Sequence, residues 1–249
     1  MLRLDGRIAL VTGAAQGLGE QMALAFAAEG ADVVGFDIRA DQLRTVGAQV
    51  EAGGRRFLGL EVDVRDAGAV ENAVERVYSS FGEVDFLVNN AGKGQRQEFA
   101  EVTPELWQYM LDVNLTSQYN LCRAIVPRML TRGSGRIVNI SSIAATRGAR
   151  LLGKSAYAAA KGGVIAFTKA LAVELAPKKI TVNCIVPGVH NTPRRSQDTS
   201  EETARLLPQI PMGEYGQPAD LAQAVIFFCL PSSRYITGVL LPVDGGHTI

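Results

Sequence analysis

The chain has 249 residues, 47% apolar and 20% charged, enough for one large domain or two small ones and too apolar for disorder. Its 25 Lys plus Arg balance 25 Asp plus Glu, so it lacks the global positive field of a non-specific nucleic-acid binder.

In chain order, short apolar runs rich in β-branched residues stand at 8–11, 32–36, 85–88, 136–140, 180–185 and 238–243, with a less apolar one at 56–60. Nearly unbroken runs of this kind suit strands buried on both faces, as in a parallel sheet. Helical patterns lie between them, among them 19–29 and 67–81. With no linker and no repeat, the alternation predicts one α/β domain over residues 1–249. Two further helices are unusual. One, over 104–130, is long and carries Asn114, a mediocre helix former, in its middle. The other, over 156–176, is apolar nearly all round, more than one sheet explains. Both are expected to pack against another subunit.

Cys122, Cys184 and Cys229 form neither a metal-ligand spacing nor a disulfide framework, which fits a reducing compartment. Only four apolar residues in a row precede Thr12, and no later stretch approaches about 18, so neither a secretory segment nor a membrane span is expected. The expectation is a soluble, cytoplasmic protein with no metal site.

The first run leads directly into Thr12-Gly13-Ala14-Ala15-Gln16-Gly17-Leu18-Gly19, which opens a helix. Gly13 permits a tight turn, Gly17 lets backbone N–H groups approach a phosphate, and Gly19 allows close helix–strand packing. The helix N-terminus, with Gln16 and Leu18 beside it, adds a partial positive charge for a pyrophosphate. A strand before and a helix after turn a weak spacing into a strong signal for a Rossmann-type fold, a doubly wound parallel sheet flanked by helices on both faces. Asp37 ends the second run, where a carboxylate accepts the ribose hydroxyls of NAD and repels a 2′-phosphate. Arg39, two residues on, is the feature that would accept that phosphate. NAD is favoured over NADP.

With these pieces in place, the whole chain resembles the short-chain dehydrogenase/reductase family. Besides the glycine turn, the resemblance rests on Asp63-Val64, Asn89-Asn90-Ala91-Gly92, Asn114, Ser142, Tyr157-x-x-x-Lys161 and Pro187-Gly188. The closing Thr237-Gly238 and Val243-Asp244-Gly245-Gly246 match as well. It implies that Asp63 holds the adenine, that Asn89 to Gly92 line the floor of the cofactor cleft, and that Pro187, Gly188 and Thr192 flank the nicotinamide. It also implies a catalytic set of Asn114, Ser142, Tyr157 and Lys161, a mobile lid around 190–212, and a homotetramer, with a dimer as the alternative. Ser142 and Tyr157 are farther apart than is usual in the family, the extra residues falling in 146–154 beside the substrate. Ser141 is the lesser candidate for the role of Ser142.

The residue types suit hydride chemistry. A phenol with pKa near ~10 is a poor base at neutral pH. Tyr157 and Lys161 are one helical turn apart on one face, so the Lys161 ammonium favours the phenolate. Tyr157 would take the hydroxyl proton as hydride leaves carbon, and Ser142 would donate to the substrate oxygen. The resemblance gives Lys161 the nicotinamide ribose as well, and Asn114 a water that passes the proton to solvent.

Arg147, Arg150, Lys154, Arg194 and Arg195, with Lys93 and Arg96, fall in segments that border the pocket mouth and could recognise an anionic substrate. Solvated loop cations are the favoured alternative. His190 and His247 read as loop and terminal residues, and Cys184 and Cys229 as core packing. The expected activity is an NAD-dependent dehydrogenase of a secondary alcohol or, in reverse, a reductase of the ketone. An NADPH-dependent 3-oxoacyl-thioester (acyl-carrier-protein) reductase is the runner-up, and a non-catalytic NAD-binding sensor or scaffold is the alternative of another class.

Overall fold

The computed structural model describes residues 4–148, 154–193, 195 and 199–249. Seven parallel strands form one sheet: β1 (Ile8–Thr12), β2 (Asp32–Asp37), β3 (Phe57–Glu61), β4 (Phe86–Asn89), β5 (Gly135–Ile140), β6 (Ile180–Pro187) and β7 (Leu240–Val243). Their order is β3-β2-β1-β4-β5-β6-β7. The chain winds outward from β1 to β3, then returns past β1 to β4 and continues the other way. That reversal opens a crevice at the carboxyl ends of β1 and β4, the place where doubly wound sheets bind ligands.

The apolar runs mark these strands because β1, β4 and β6 are buried along their whole length. Alternate residues serve opposite faces. Ala9 and Val11 join a core with Met22 and Phe26 of α1 (Gly17–Ala28) and Leu221, Ile226 and Phe228 of α9 (Pro218–Cys229). Ile8 and Leu10 join the other core, with Val70 and Val74 of α3 (Ala67–Ser80), Leu121 and Ile125 of α5 (Ser117–Arg132) and Leu175 of α7 (Ser155–Leu175). Four further helices, α2 (Ala40–Ala52), α4 (Pro104–Leu111), α6 (Ala144–Arg147) and α8 (Ser200–Leu206), complete the described set. Among the described residues no helix is long and apolar enough to cross a membrane, and no group of three or more His, Cys, Asp or Glu is placed to hold a metal ion.

Two expectations are corrected. The run at 238–243 yields a strand only from Leu240, because Gly238 takes φ +74° and cannot continue an extended ladder. The helix expected over 104–130 is not regular. Between α4 and α5 a π-helical turn spans Asp112–Thr116. Within it Asn114 Nδ2 donates to Met110 O at 3.0 Å, so a side chain shares a carbonyl of the preceding turn.

Helix α7 buries one face, through Ala156, Ala160, Val164, Thr168, Ala172 and Leu175. Its other side leaves Val173 77% exposed, and Trp107 and Tyr119 on α4 and α5 are partly uncovered.

Candidate active site

The crevice is built on the glycine turn. Gly13 takes φ +66° as the chain leaves β1. A side chain there would press within 3.1 Å of the Ala91 backbone, and one at Gly19 would sit 2.0 Å from Gly13 O. Both positions therefore demand glycine, and the close approach they permit brings the N-terminus of α1 onto the sheet edge. The first N–H groups of that helix lack intrahelical partners and suit a phosphate. Thr12 and Asn90 staple the turn to β4. Thr12 Oγ1 accepts from the N–H groups of Asn90 and Ala91, each at 3.0 Å, and Asn90 Nδ2 donates to Thr12 O at 2.9 Å.

Asp37 ends β2 beside this turn. Its Oδ2 accepts from Ala15 N–H at 3.0 Å and its Oδ1 from Arg39 N–H at 3.1 Å. The Arg39 guanidinium donates to the Gln16 side-chain oxygen, Oε1. A carboxylate next to a glycine cradle that tolerates no Cβ fits a nicotinamide dinucleotide, with Gly13, Gln16, Gly17, Leu18, Gly19 and Asp37 as the residues that would hold it.

Farther along the crevice, Asp63 is clasped by Arg65, through its backbone N–H and Nε at 3.0 Å and Nη2 at 2.5 Å. The side-chain bond from Arg65 chiefly holds the Asp63 carboxyl below its usual range. Asn120 Nδ2 fixes the adjoining backbone by donating to Val64 O and Arg65 O. An adenine contact by Asp63 must therefore share a carboxylate already bound to Arg65, which the sequence reading does not include.

Asn89 departs from its expected place on the cleft floor. It is buried and donates to Asn139 Oδ1 at 2.8 Å, and Asn139 Nδ2 in turn donates to Thr168 Oγ1 at 3.0 Å. The pair forms a strut from the sheet to α7. A strand-end amide carries no signal that tells a strut from a cleft lining.

Two of the four candidate catalytic residues, Asn114 and Lys161, meet at Gly92. A Cβ there would lie 2.7 Å from Asn114 Oδ1 and 3.4 Å from Lys161 Nζ. Asn114 is fully buried. Its Oδ1 accepts from Lys93 N–H and its Nδ2 donates to Lys93 O, each at 3.0 Å. With both amide hydrogens committed to Lys93 O and Met110 O, any water it holds must use a remaining carbonyl lone pair.

Lys161 is buried, its Nζ donating to Ile140 O at 2.8 Å and lying 5.9 Å from the Tyr157 ring centre. Loss of solvent pushes its pKa down to about 8. Ser142 follows β5, and its Oγ accepts from Ala144 N–H at 3.1 Å, which leaves the hydroxyl proton available. Ser141 instead donates to Lys161 O at 2.8 Å and is buried, so it is a packing serine.

The segment after β6 folds over the glycine turn. A Cβ at Gly17 would touch Thr192 at 3.6 Å, and Gly188 lies so close to Asp244 that a Cβ would meet its Cα at 2.6 Å. Pro187 O accepts from Ile143 N–H.

The expected ring of substrate-facing cations is largely engaged elsewhere. Arg147 donates to His247 O at 2.5 Å and to Gln209 Oε1 at 3.3 Å. Arg195 lies over the Tyr215 ring at 4.0 Å, Lys154 pairs with Glu98, and Arg96 pairs with Glu202 at 2.6 Å. Arg150 and Arg194 lie outside the described residues. His190 is buried against Gly216, and desolvation lowers its pKa below the ordinary histidine value. All three cysteines are buried free thiols.

Known proteins resemble this chain over nearly its whole length. A family model described as enoyl-(acyl carrier protein) reductase matches residues 13–248. Subunit BbsD of the (2S)-[(R)-hydroxy(phenyl)methyl]succinyl-CoA dehydrogenase of Thauera aromatica is 37% identical, over 99% of this chain and 98% of its own. The 3-oxoacyl-[acyl-carrier-protein] reductase FabG of Thermotoga maritima is 36% identical over 100% of both chains. The 2,5-dichloro-2,5-cyclohexadiene-1,4-diol dehydrogenase LinX of Sphingobium indicum is 37% identical, over 99% of this chain and 98% of its own. Such coverage, on a doubly wound sheet with a glycine turn at its switch point, defines a Rossmann-type oxidoreductase that binds a nicotinamide cofactor. The chain belongs to the short-chain dehydrogenase/reductase family.

Proposed function

We propose that this protein is an NAD-dependent dehydrogenase that interconverts a secondary alcohol and a ketone, with Tyr157 as the acid/base. The observation that carries the reading is the buried Lys161 ammonium one turn from Tyr157, beside Asn114 at Gly92. The bound nicotinamide supplies or accepts the hydride. Tyr157 takes the alcohol proton on oxidation and returns it on reduction. Lys161, beside Gly92, favours the phenolate through charge and would hold the ribose of a bound nicotinamide nucleotide. Ser142 donates to the substrate oxygen, and Asn114 holds the loop at Lys93 and a water through which the proton leaves. Asp63 and Val64 border the adenine, Asn90, Ala91 and Gly92 the cleft floor, and Pro187, Gly188 and Thr192 the nicotinamide. The 190–212 segment serves as a lid over the pocket.

Asp37 supports NAD, since a carboxylate at the end of β2 beside the glycine turn would repel a 2′-phosphate. Asp37→Asn keeps an acceptor but removes the charge. It should raise the NADP-to-NAD ratio of kcat/KM about tenfold, the difference between a charged and a neutral hydrogen bond. An unchanged ratio in steady-state kinetics with both cofactors would reject the assignment.

The second reading is an NADPH-dependent reductase of 3-oxoacyl thioesters. It is favoured by the 3-oxoacyl reductase relative that aligns over the full length and by Arg39 beside the turn. One experiment separates the two: purified protein is mixed with NAD or NADP and a panel of neutral and anionic secondary alcohols, with 3-hydroxyacyl thioesters among them. Turnover with NAD on simple alcohols supports the first reading, and turnover only on thioesters with NADP supports the second. The ion pairs around Arg96 and Lys154 argue against a preference for anionic alcohols.

The uncovered side of α7 and the exposed aromatics of α4 and α5 support a homotetramer. Sedimentation at micromolar concentration should show a tetramer, and a monomeric species would overturn the assignment.

A further inference from the structure

The helix that carries Tyr157 and Lys161 has no cap of its own. Lys154 occupies its N-cap position without a side-chain bond into the first turn. The neighbouring Ser155 hydroxyl is buried with no hydrogen-bond partner. Leading N–H groups in a buried helix end need acceptors. They are met from the loop after β4, where Gln95, itself buried, accepts from both Ala156 N–H and Tyr157 N–H on Oε1, each at 3.1 Å. Its Nε2 donates to Gln97 O at 3.3 Å, which holds the amide with its oxygen toward the helix. Two residues earlier the same loop is gripped by Asn114, at Lys93 N–H and Lys93 O. Residues 93–95 thus join the Asn114 end of the site to the first turn of α7.

We propose that Gln95 is a positioning residue for Tyr157. Its carbonyl oxygen fixes the first turn of α7, and with it the placement of the phenol over Lys161. Gln95 touches neither substrate nor cofactor in this role. The inference rests on the reading of Tyr157 as the acid/base, and it differs from ordinary capping because the residue it holds does chemistry. A plain cap would change only how readily the helix end frays.

The test compares full-length wild type, Gln95→Leu, Gln95→Glu and Tyr157→Phe. One readout needs no substrate: alkaline ultraviolet titration of the phenols, with Tyr157 isolated by subtracting the Tyr157→Phe trace. In Gln95→Leu the Tyr157 titration should move up by about half a unit or more, as the ring loses its register with the ammonium. With the best alcohol of the panel, kcat should fall about tenfold or more while the KM for NAD stays within about twofold, since misplacement of a reacting group acts on the chemical step.

Gln95→Glu restores the acceptor. It should recover kcat at alkaline pH while shifting the pH profile upward, because a carboxylate near the phenol opposes the phenolate. A folded Gln95→Leu protein with unchanged Tyr157 titration and kcat, and only a lower Tm, would reduce Gln95 to a structural cap. If the Leu variant does not fold, Gln95→Ala, which removes the acceptor without adding bulk or charge, decides, and an unmoved Tyr157 titration in it overturns the proposal. Retained turnover in Tyr157→Phe would instead defeat the acid/base reading, and the titration would still report whether Gln95 holds the ring.

Discussion

Tyr157→Phe should lose about 10²–10⁴-fold in kcat, the range that a positioned general acid/base supplies, while its affinity for NADH stays within about twofold. The substitution removes one oxygen and leaves the ring, the helix and the Lys161 bond to Ile140 O in place. Phenylalanine can neither accept nor return a proton, so the loss falls on the chemical step and not on cofactor binding. Single-turnover kinetics with saturating cofactor would show it directly, and fluorescence titration would supply the affinity. A variant that binds NADH normally and turns over at more than about a tenth of the wild-type rate would mean that another group moves the proton. A variant that loses binding would mean that the ring itself supports the cofactor cleft.

Much of the fold was legible because its cause is local. A strand buried on both faces must be apolar throughout, and a position where an added Cβ would lie 2.0 Å from a backbone oxygen must be glycine, so β1, β4, β6 and the turn at Gly13 and Gly19 announce themselves. Most of the features that escaped are long-range. The clasp of Asp63 by Arg65 is local, but the brace from Asn120 on the adjoining backbone comes from 55 residues away. Asn89 looks like a cleft residue until Asn139 and Thr168 are seen to hold it. The π-turn at Asn114 goes with side-chain bonds to Met110 O and to the Lys93 backbone, and only the fold brings Lys93 beside it. The cations of the pocket mouth, Arg96, Lys154 and Arg147, were ambiguous for the same reason, since Glu202, Glu98 and the carbonyl of His247 reach them from distant segments.

Lys161→Met should cost most of the activity and stabilise the free protein near neutral pH. Burial moves the Lys161 pKa from 10.5 to about 8. The unfolded chain therefore holds this proton more tightly than the folded one between those values, and folding stability from this group rises with pH across that window. Below pH 8 the folded state bears the full penalty, about 3 kcal/mol for a shift of this size. Methionine fills similar space without a charge and escapes that penalty, although it leaves Ile140 O without its donor, at a cost of about 1–3 kcal/mol. The net gain at pH 7 is then about 1 kcal/mol, a rise in Tm of roughly 2–4 °C for a chain of this length.

The pH dependence is the sharper test. The advantage of the variant should be full below pH 8 and should shrink as the pH approaches 10.5, where the wild-type lysine is neutral in both states. Thermal melts at pH 7 and pH 10 would read it, and an advantage that stayed constant or grew with pH would show that Lys161 is not a buried charge in the free protein. Turnover moves the other way. Without the ammonium the Tyr157 phenol reverts toward its ordinary pKa, and kcat should fall by about 10²-fold. Under the proposed mechanism the charge that destabilises the fold is also the one that makes the phenol a usable base, so stability lost at Lys161 is the physical counterpart of reactivity gained at Tyr157.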